Sequence, residues 1–183
     1  QTGPCGPDTE MFYWTGDGPA PKVFEPSDKR WVEIWNNVFM QYNKKADGTF
    51  EPLTQRNVDT GMGLERVTAV LQGKKSCYET ELFLPFFAEL DRIRQVAALP
   101  VAERSASERI IADHLRAATF IIADGIAPGN VDQGYVLRRL IRRAIREGRK
   151  LGIETSFAVA IANVVIAEFG EAYPELIANR DRI

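Results

Sequence analysis

The residues best suited to bind a charged small molecule lie in the segment Asp59-Thr60-Gly61-Met62-Gly63-Leu64-Glu65-Arg66. Asp59 offers a carboxylate that suits an ammonium group, and Arg66 offers a planar cation that suits a phosphate. The two glycines let the backbone pass close to a ligand, and a helix that starts after them adds positive potential at its N-terminus. The segment could therefore hold a zwitterion beside a polyphosphate. A tight turn with Asp59 as an ordinary cap explains the same residues.

A second candidate site is a run of positive charge that contains seven basic residues and one acid, Glu147. On a helix with 100° per residue, the basic residues occupy one face and the apolar residues the opposite face. Arginine suits phosphate because its planar fork donates two hydrogen bonds. The pattern predicts contact with nucleic acid that supplies affinity without reading sequence, and the alternative is a solvated face without a partner. The basic residues are Arg138, Arg139, Arg142, Arg143, Arg146, Arg149 and Lys150.

Two asparagines have both a structural and a functional interpretation, and the histidine and the cysteines have a structural one. Asn36 and Asn37 interrupt an apolar strand, where they could make structural hydrogen bonds or face a substrate. We interpret His114 as a hydrogen-bonded core residue and the two cysteines, Cys5 and Cys77, as inert. With one histidine and two distant cysteines the chain offers no four-ligand zinc site, and we expect no metal centre built from these residues.

The predicted secondary structure that positions these residues changes along the chain from strands to helices. Alternation and β-branched residues predict strands at 11–14, 31–42 and 49–53, with Asp47-Gly48 as a hairpin turn. A Gly- and Pro-rich loop is expected at 15–28. A helix is expected over 64–71. The first part of the chain is therefore predicted to be mainly antiparallel sheet.

Helical spacing dominates from about residue 79 onward, starting with a helix whose first turn contains Pro85. Ser105 and Glu108 predict a capping box, followed by a buried stripe. Later helices are predicted at 136–147, ended by Gly148, and at 157–168. With a linker at 97–106, these patterns predict an α+β protein. The stripe consists of Ile110, Ile111, His114, Ala117, Ala118 and Ile121.

Composition narrows the class of protein further. The chain has 183 residues, of which 45% are hydrophobic and 26% charged, with a formal net charge of −2. These values exclude a disordered or collagen-like chain and allow one domain or two small ones. The first residues do not resemble a signal peptide, and no apolar stretch approaches the ~20 residues that span a bilayer. We therefore expect a soluble cytoplasmic protein that does not contact membranes.

Several of these segments, taken together and in order, resemble the alanyl-tRNA synthetase family of class II aminoacyl-tRNA synthetases. The resemblance covers nearly the whole chain. The segments that carry it are Thr2–Pro7, Glu33–Gln41, Val58–Arg66, Ile111–His114 and Gly134–Arg143.

The resemblance implies that residues 1–96 form the C-terminal part of a class II catalytic domain, a partial antiparallel sheet with the motif 3 helix. Residues 97–183 would form the N-terminal part of an all-helical domain that recognises the tRNA acceptor stem. The implied activity is activation of alanine with ATP and Mg²⁺, followed by transfer of alanine to tRNA(Ala). No zinc site is implied in this segment.

The resemblance also assigns roles to individual residues. Arg66 would bind the γ-phosphate of ATP, with Gly63 and Glu10 nearby, and Asp59 would hold the alanine ammonium group. Asn36 would contact the amino acid, while Val38 and Gly61 would shape a pocket for its small side chain. Asn130 would read the G3:U70 pair of the acceptor stem. The stem would also contact the basic helix through Arg138, Arg139, Arg142, Arg143 and Arg146.

The chain departs from the family pattern at several points. We find no match to class II motifs 1 and 2, nor to the editing and oligomerisation domains, and Asp8 and Asn37 replace residues usual in the family. We therefore expect a fragment that is inactive without the N-terminal half of the catalytic domain. The alternatives are a non-catalytic module that binds the acceptor stem and a degenerate paralogue with neither role.

Overall fold

The structure, a computed structural model, describes residues 2–183 and divides into two compact units, Gln1–Thr80 and Glu81–Ile183. The boundary between these units lies earlier in the chain than the predicted domain boundary near residue 96. The first unit holds an antiparallel sheet and one α-helix, and the second is helical. The structure is thus of the predicted α+β class. Among residues 2–183, no helix is both long and apolar enough to cross a membrane.

The sheet of the first unit is organised around one long strand, β3. Its first part pairs with β2 and its last part with β1 along one edge, while β4 pairs along the other edge. All three pairings are antiparallel, so the predicted antiparallel sheet is confirmed. The strands are β1 (Gly3–Cys5), β2 (Asp8–Trp14), β3 (Trp31–Lys44) and β4 (Phe50–Met62).

A tight turn joins β3 to β4 where the Asp47-Gly48 pair predicts it. Gly48 has a φ of +85°, a conformation that glycine adopts without steric cost. One carboxylate oxygen of Asp47 accepts hydrogen bonds from the backbone N–H and the hydroxyl of Thr49, at 2.9 and 2.7 Å. The return strand is longer than the predicted 49–53, because its pairing with β3 continues to Met62.

The chain passes directly from β4 into the helix α1 (Leu64–Leu71). Asp59 and Gly61 lie in the strand, and the N-cap residue Gly63 makes no side-chain capping bond. The interpretation of this segment as a tight turn capped by Asp59 is therefore wrong. The predicted junction between a strand and a helix over 64–71 is confirmed.

The second unit consists of five α-helices that bury their apolar faces against one another. The largest fully buried side chains include Phe86, Leu90, Ile111, Leu137 and Ile161. The helices are α2 (Leu84–Arg94), α3 (Ala106–Ala123), α4 (Asp132–Lys150), α5 (Ala158–Phe169) and α6 (Pro174–Ala178), the last of which the sequence patterns did not predict.

The start of α3 is fixed by hydrogen bonds that also reach α2. Ser105 and Glu108 form the predicted capping box. Glu108 also accepts hydrogen bonds from Arg104 at 2.9 Å and from Arg94 at 3.0 Å. The Arg104 guanidinium donates to both carboxylate oxygens of Asp91, and only 3% of its side chain is exposed. This buried charge cluster joins the segment before α3 to α2.

The buried stripe of α3 is only partly the predicted one. Ile111 and Ala118 are buried as expected, but Ala112 and Leu115 share the core with them. The observed buried stripe is therefore rotated about the helix axis relative to the predicted stripe. The predicted members that remain partly exposed are Ile110, His114, Ala117 and Ile121.

The predicted end of α4 at Gly148 is wrong, because the helix continues to Lys150. Gly148 is buried within the helix, where a Cβ atom would lie only 2.4 Å from Cε1 of Phe157. Gly152, with a φ of +77°, lies just after the helix in the conformation expected of a terminating glycine. Gly148 therefore serves close packing against Phe157.

Substituting Gly148→Ala should destabilise the protein by about 1–3 kcal/mol, because the buried ring of Phe157 must move. Chemical denaturation measures the change. Adding Phe157→Leu should recover part of the loss by making room for the methyl group. A gain of about 1 kcal/mol for Gly148→Ala, as for an ordinary helix position, would contradict this packing role.

Candidate functional site

Three of the candidate substrate residues form one row across the sheet. Asn36 on β3 lies opposite Glu10 on β2 and opposite Gly61 on β4. The Asn36 side chain donates a hydrogen bond from Nδ2 to Oε1 of Glu10 at 3.2 Å. Because Gly61 has no side chain, the row is open at this position.

The next row on the same side of the sheet contains the remaining alanine-site candidates. Val38 lies opposite Asp8 on β2 and opposite Asp59 on β4. Residues two apart on a strand point to the same face, and directly paired residues also share a face. The register therefore places all five candidates on one face, which we call the substrate face: Glu10, Asn36, Val38, Asp59 and Gly61.

The opposite face of the sheet carries a separate hydrogen-bonded group. Thr60 donates a hydrogen bond from its hydroxyl to Oδ1 of Asn37 at 2.6 Å and accepts one from Nε1 of Trp35 at 2.6 Å. The two adjacent asparagines thus have different roles in the sheet. Asn37 makes a structural bridge to β4, whereas Asn36 lies on the substrate face.

Arg66 is held where β4 passes into α1. Its Nη1 donates a hydrogen bond to the Glu33 carbonyl oxygen at 2.9 Å and lies 3.5 Å from Oε2 of the same residue. A Cβ atom on Gly63 would lie 3.3 Å from Cδ of Arg66, so this glycine makes room for the arginine stem. Arg66 and Asp59, both within the described residues, share no hydrogen bond or ion pair, and they lie at the two ends of an eight-residue segment.

The substrate face carries negative groups, and Arg66 at the junction of β4 and α1 carries a positive one. Asp8, Glu10 and Asp59 are exposed, so their carboxylates can receive an ammonium group or a cation. Arg66 keeps much of its side chain exposed as well, with a relative exposure of 54%. In the part of the chain that the structure describes, no group of three or more acidic, histidine or cysteine residues forms a metal cluster.

The predicted basic face of α4 borders an open groove with a volume of about 1010 Å³. Arg139, Arg142, Arg143 and Arg149 make no hydrogen bond or ion pair with any other residue of 2–183. Their guanidinium groups are therefore available to an external partner. The groove is lined by Asn130, Tyr135, Arg138, Arg139, Arg142, Arg143, Ile145, Arg146 and Arg149.

The one acid of the basic run points away from the groove and into the helical unit. Only 3% of the Glu147 side chain is exposed, and its Oε2 accepts a hydrogen bond from the Ser107 hydroxyl on α3 at 2.8 Å. Hydrogen bonds from Lys150, Ser107 and Arg146 lower the pKa of Glu147 from 4.5 to about 2. Its negative charge offsets two cations of α4 without entering the groove.

Asn130 lies at one end of the groove, on a short loop before α4. The backbone N–H of Gly129 donates to the Gly134 carbonyl at 2.9 Å, which closes this loop. The Asn130 Oδ1 accepts a hydrogen bond from Nη1 of Arg138. The structure thus brings the candidate Asn130 together with the arginine face.

Sequence reasoning did not identify three contributors to these sites. Tyr135 and Ile145 line the groove, and Glu33 anchors Arg66. The helical wheel places Tyr135 within the arginine face and Ile145 at its edge, so an inspection of that face and its flanks could have found both. No sequence signal indicated Glu33, because its contact joins residues 33 positions apart.

The whole chain, residues 1–183, matches the sequence model of the family described as tRNA synthetases class II (A), and the chain belongs to that family. The predicted family resemblance is confirmed.

Three similar proteins are all named alanine–tRNA ligase. The one from Treponema pallidum (strain Nichols) is 52% identical over 183 residues, with 96% of this chain and 30% of the relative covered. The one from Methylobacillus flagellatus is 49% identical over 186 residues, covering 100% of this chain and 21% of the relative. The one from Psychrobacter sp. (strain PRwf-1) is 48% identical over 179 residues, covering 96% of this chain and 19% of the relative. The chain thus spans less than a third of each relative.

Replacing Glu147→Gln should lower the stability of the protein at neutral pH. The lowered pKa means that the ionised carboxylate stabilises the fold fully above pH about 4.5, and that this contribution disappears as the pH falls toward 2. The stability difference between the two proteins, measured by denaturation at several pH values, should shrink over that window. The exposed Glu171→Gln is the control, which should match the unmodified chain throughout. A difference that persists unchanged at pH 2 would contradict the role of the charge.

Proposed function

We propose that the chain is the part of an alanine–tRNA ligase that holds alanine and ATP on the substrate face and binds the acceptor stem of tRNA(Ala) in the groove beside α4. The observation that carries this proposal is the register of β2, β3 and β4. It collects five chemically suited residues, distant in sequence, on one face of one sheet. The names of the similar proteins support the choice of amino acid.

The proposed reaction begins with attack of the alanine carboxylate on the α-phosphorus of ATP, which forms alanyl-adenylate and releases pyrophosphate. Asp59 attracts the alanine ammonium group and so orients the carboxylate. Asn36 contributes its amide, while Val38 and Gly61 leave space for only a small side chain. A pocket of this kind discriminates against glycine and serine by only a few kcal/mol. Arg66 binds the γ-phosphate, where its cation balances the charge of the nucleotide.

A magnesium ion that accompanies ATP needs only one or two protein carboxylates, because phosphates and water complete its coordination. Exposed Glu10 offers such a carboxylate on the substrate face, and Asp8 lies two residues away on the same strand. These residues fit the ion. When bound there it would neutralise phosphate charge.

The proposed partner of the groove is an RNA duplex. The four arginines without internal partners provide cations for phosphates. From Arg138 to Arg149 the helix rises about 16 Å, so the groove can follow several phosphates of a strand. Binding of this kind releases counterions and weakens as salt rises.

A second candidate function is a non-catalytic module that binds the acceptor stem, for which the groove alone suffices. The substrate face and Arg66 distinguish the two candidates, because an RNA-binding module does not require Asp59 or Arg66. Alanine-dependent exchange of pyrophosphate into ATP therefore decides between them.

The exchange reaction can be measured in a chimaera in which this chain replaces the matching segment of the Treponema pallidum relative. We expect alanine-dependent activity from the chimaera. Asn36→Ala should raise the KM for alanine, and Arg66→Ala should reduce the exchange rate by about 10²–10³-fold through lost stabilisation of phosphate charge.

Matched controls come from neighbouring residues of the same sheet. Asn37→Ala removes the amide from the opposite face, and Arg56→Ala removes an exposed arginine of β4. Both should leave the KM for alanine and the exchange rate close to the parent values. Equal effects of Asn36→Ala and Asn37→Ala would contradict the substrate face, and a chimaera with no exchange would favour the binding module.

Binding of the chain to an RNA hairpin that copies the tRNA(Ala) acceptor stem should weaken when Arg138→Glu and Arg142→Glu are combined. The plot of log affinity against log salt should also become shallower, because fewer phosphates are neutralised. The pair Lys22→Glu and Lys29→Glu makes the same change in net charge on an exposed loop and should bind like the parent. Equal weakening by both pairs would assign the effect to net charge and not to the groove.

A further inference from the structure

One hydrogen bond on the substrate face joins two of its polar side chains. Nδ2 of Asn36 donates to Oε1 of Glu10 at 3.2 Å, and the two residues are direct partners in the pairing of β3 with β2. The second carboxylate oxygen of Glu10, Oε2, makes no hydrogen bond or ion pair within residues 2–183, so it remains available to a magnesium ion. Glu10 is exposed and Asn36 is half-buried, so a ligand can reach both side chains.

The contact with Glu10 determines which atoms of the Asn36 amide remain for a ligand. An ionised carboxylate accepts hydrogen bonds and cannot donate them, so the Asn36 atom that it touches is the amino nitrogen Nδ2. The carbonyl oxygen Oδ1 lies on the other side of the planar amide and makes no hydrogen bond within residues 2–183. Asn36 thus presents a free acceptor, while its amino group stays beside a negative charge that repels an anionic ligand.

The groups around Oδ1 of Asn36 favour a cation at this place. Asp59 is exposed and lies diagonal to Asn36 in the pairing of β3 with β4, and diagonal positions are only about 7–8 Å apart. Gly61, directly opposite Asn36, leaves space between them, because a Cβ atom added there would have no neighbouring atom within 4 Å. An ammonium group carries three N–H donors, so it can donate to the Asp59 carboxylate and to Oδ1 at the same time.

We propose that Glu10 is a positioning residue, which turns the amide of Asn36 so that its Oδ1 accepts a hydrogen bond from the alanine ammonium group. This inference rests on the proposed function and specifies which end of the amino acid Asn36 contacts. In the opposite orientation Asn36 would present two N–H donors, which suit the alanine carboxylate. Glu10 excludes that orientation, because Oδ1 and a carboxylate oxygen would then meet as two acceptors.

Pyrophosphate exchange by the chimaera, measured at saturating ATP and Mg²⁺, tests this role through the KM for alanine. Glu10→Met keeps the length of the side chain but removes the carboxylate, which frees the amide of Asn36 to turn. The KM should rise by about tenfold, as for a lost hydrogen bond to a charged group. The kcat should change little, because the contact is made in the ground state and the transition state alike. Glu10→Gln can hold the amide in either orientation and should raise the KM less.

A probe without a carboxylate distinguishes the two ends of the amino acid. L-Alaninol keeps the ammonium group and the methyl group of alanine but has a hydroxymethyl group in place of the carboxylate. It should inhibit the alanine-dependent exchange competitively, and Glu10→Met should raise its inhibition constant by the same factor as the KM for alanine. An unchanged inhibition constant beside a raised KM would place the amide of Asn36 at the alanine carboxylate and overturn the proposal.

A double variant and a charge control separate action through Asn36 from other effects of Glu10. In the Asn36→Ala background, Glu10→Met should not raise the KM for alanine any further. An additional increase would mean that Glu10 contacts alanine itself, which contradicts the positioning role. Glu51→Met removes another exposed carboxylate of the same sheet and should keep the parent KM. If it raises the KM as much as Glu10→Met does, the loss of negative charge explains the effect and the proposal is wrong.

The inference and the proposed function fail in different ways. If the parent chimaera exchanges pyrophosphate with alanine but Glu10→Met leaves the KM for alanine unchanged, the positioning role is wrong and the proposed alanine site remains. If the parent chimaera shows no alanine-dependent exchange, the proposed site itself is wrong and the inference fails with it.

Discussion

The pairing of β3 with β2 on one edge and β4 on the other is the constraint on which the candidate active site depends. It places Asn36 between Glu10 and Gly61, and the next row on that face contains Val38 and Asp59. A shift of one residue in either pairing would send these side chains to the opposite face. The bridge from Thr60 to Asn37, with Trp35, joins β3 to β4 on that opposite face, in addition to the backbone pairs that set the register.

The groove beside α4 depends in a similar way on the placement of acidic and basic side chains on different sides of the helix. The acid Glu147 faces inward to Ser107 on α3, while the arginines face the groove. The buried carboxylate is paired with Lys150 and Arg146, so it is not an uncompensated charge. Gly148, the next residue, lets Phe157 approach the same side of the helix. One side of α4 thus serves packing, which leaves the other free to carry six arginines.

The sequence predicted those features that depend on neighbouring residues. The β4–α1 junction, the capping box of Ser105 and Glu108, and the two faces of α4 follow from local spacing. It did not predict that Gly148 packs against Phe157, because a glycine near a helix end looks the same in either role. Nor could it predict that Arg138 holds Asn130 or that Glu33 holds Arg66, since side-chain direction and strand pairing decide these contacts. Family resemblance proposed the site residues, and the register then gave a physical reason for their grouping.

The most direct test of the substrate face is a crystal structure of the chimaeric enzyme with alanine and a non-hydrolysable ATP analogue. Our account predicts the alanine ammonium nitrogen within about 3.2 Å of the Asp59 carboxylate and the terminal phosphate beside Arg66. Alanine bound on the face that carries Asn37 and Thr60, or remote from the sheet, would contradict it.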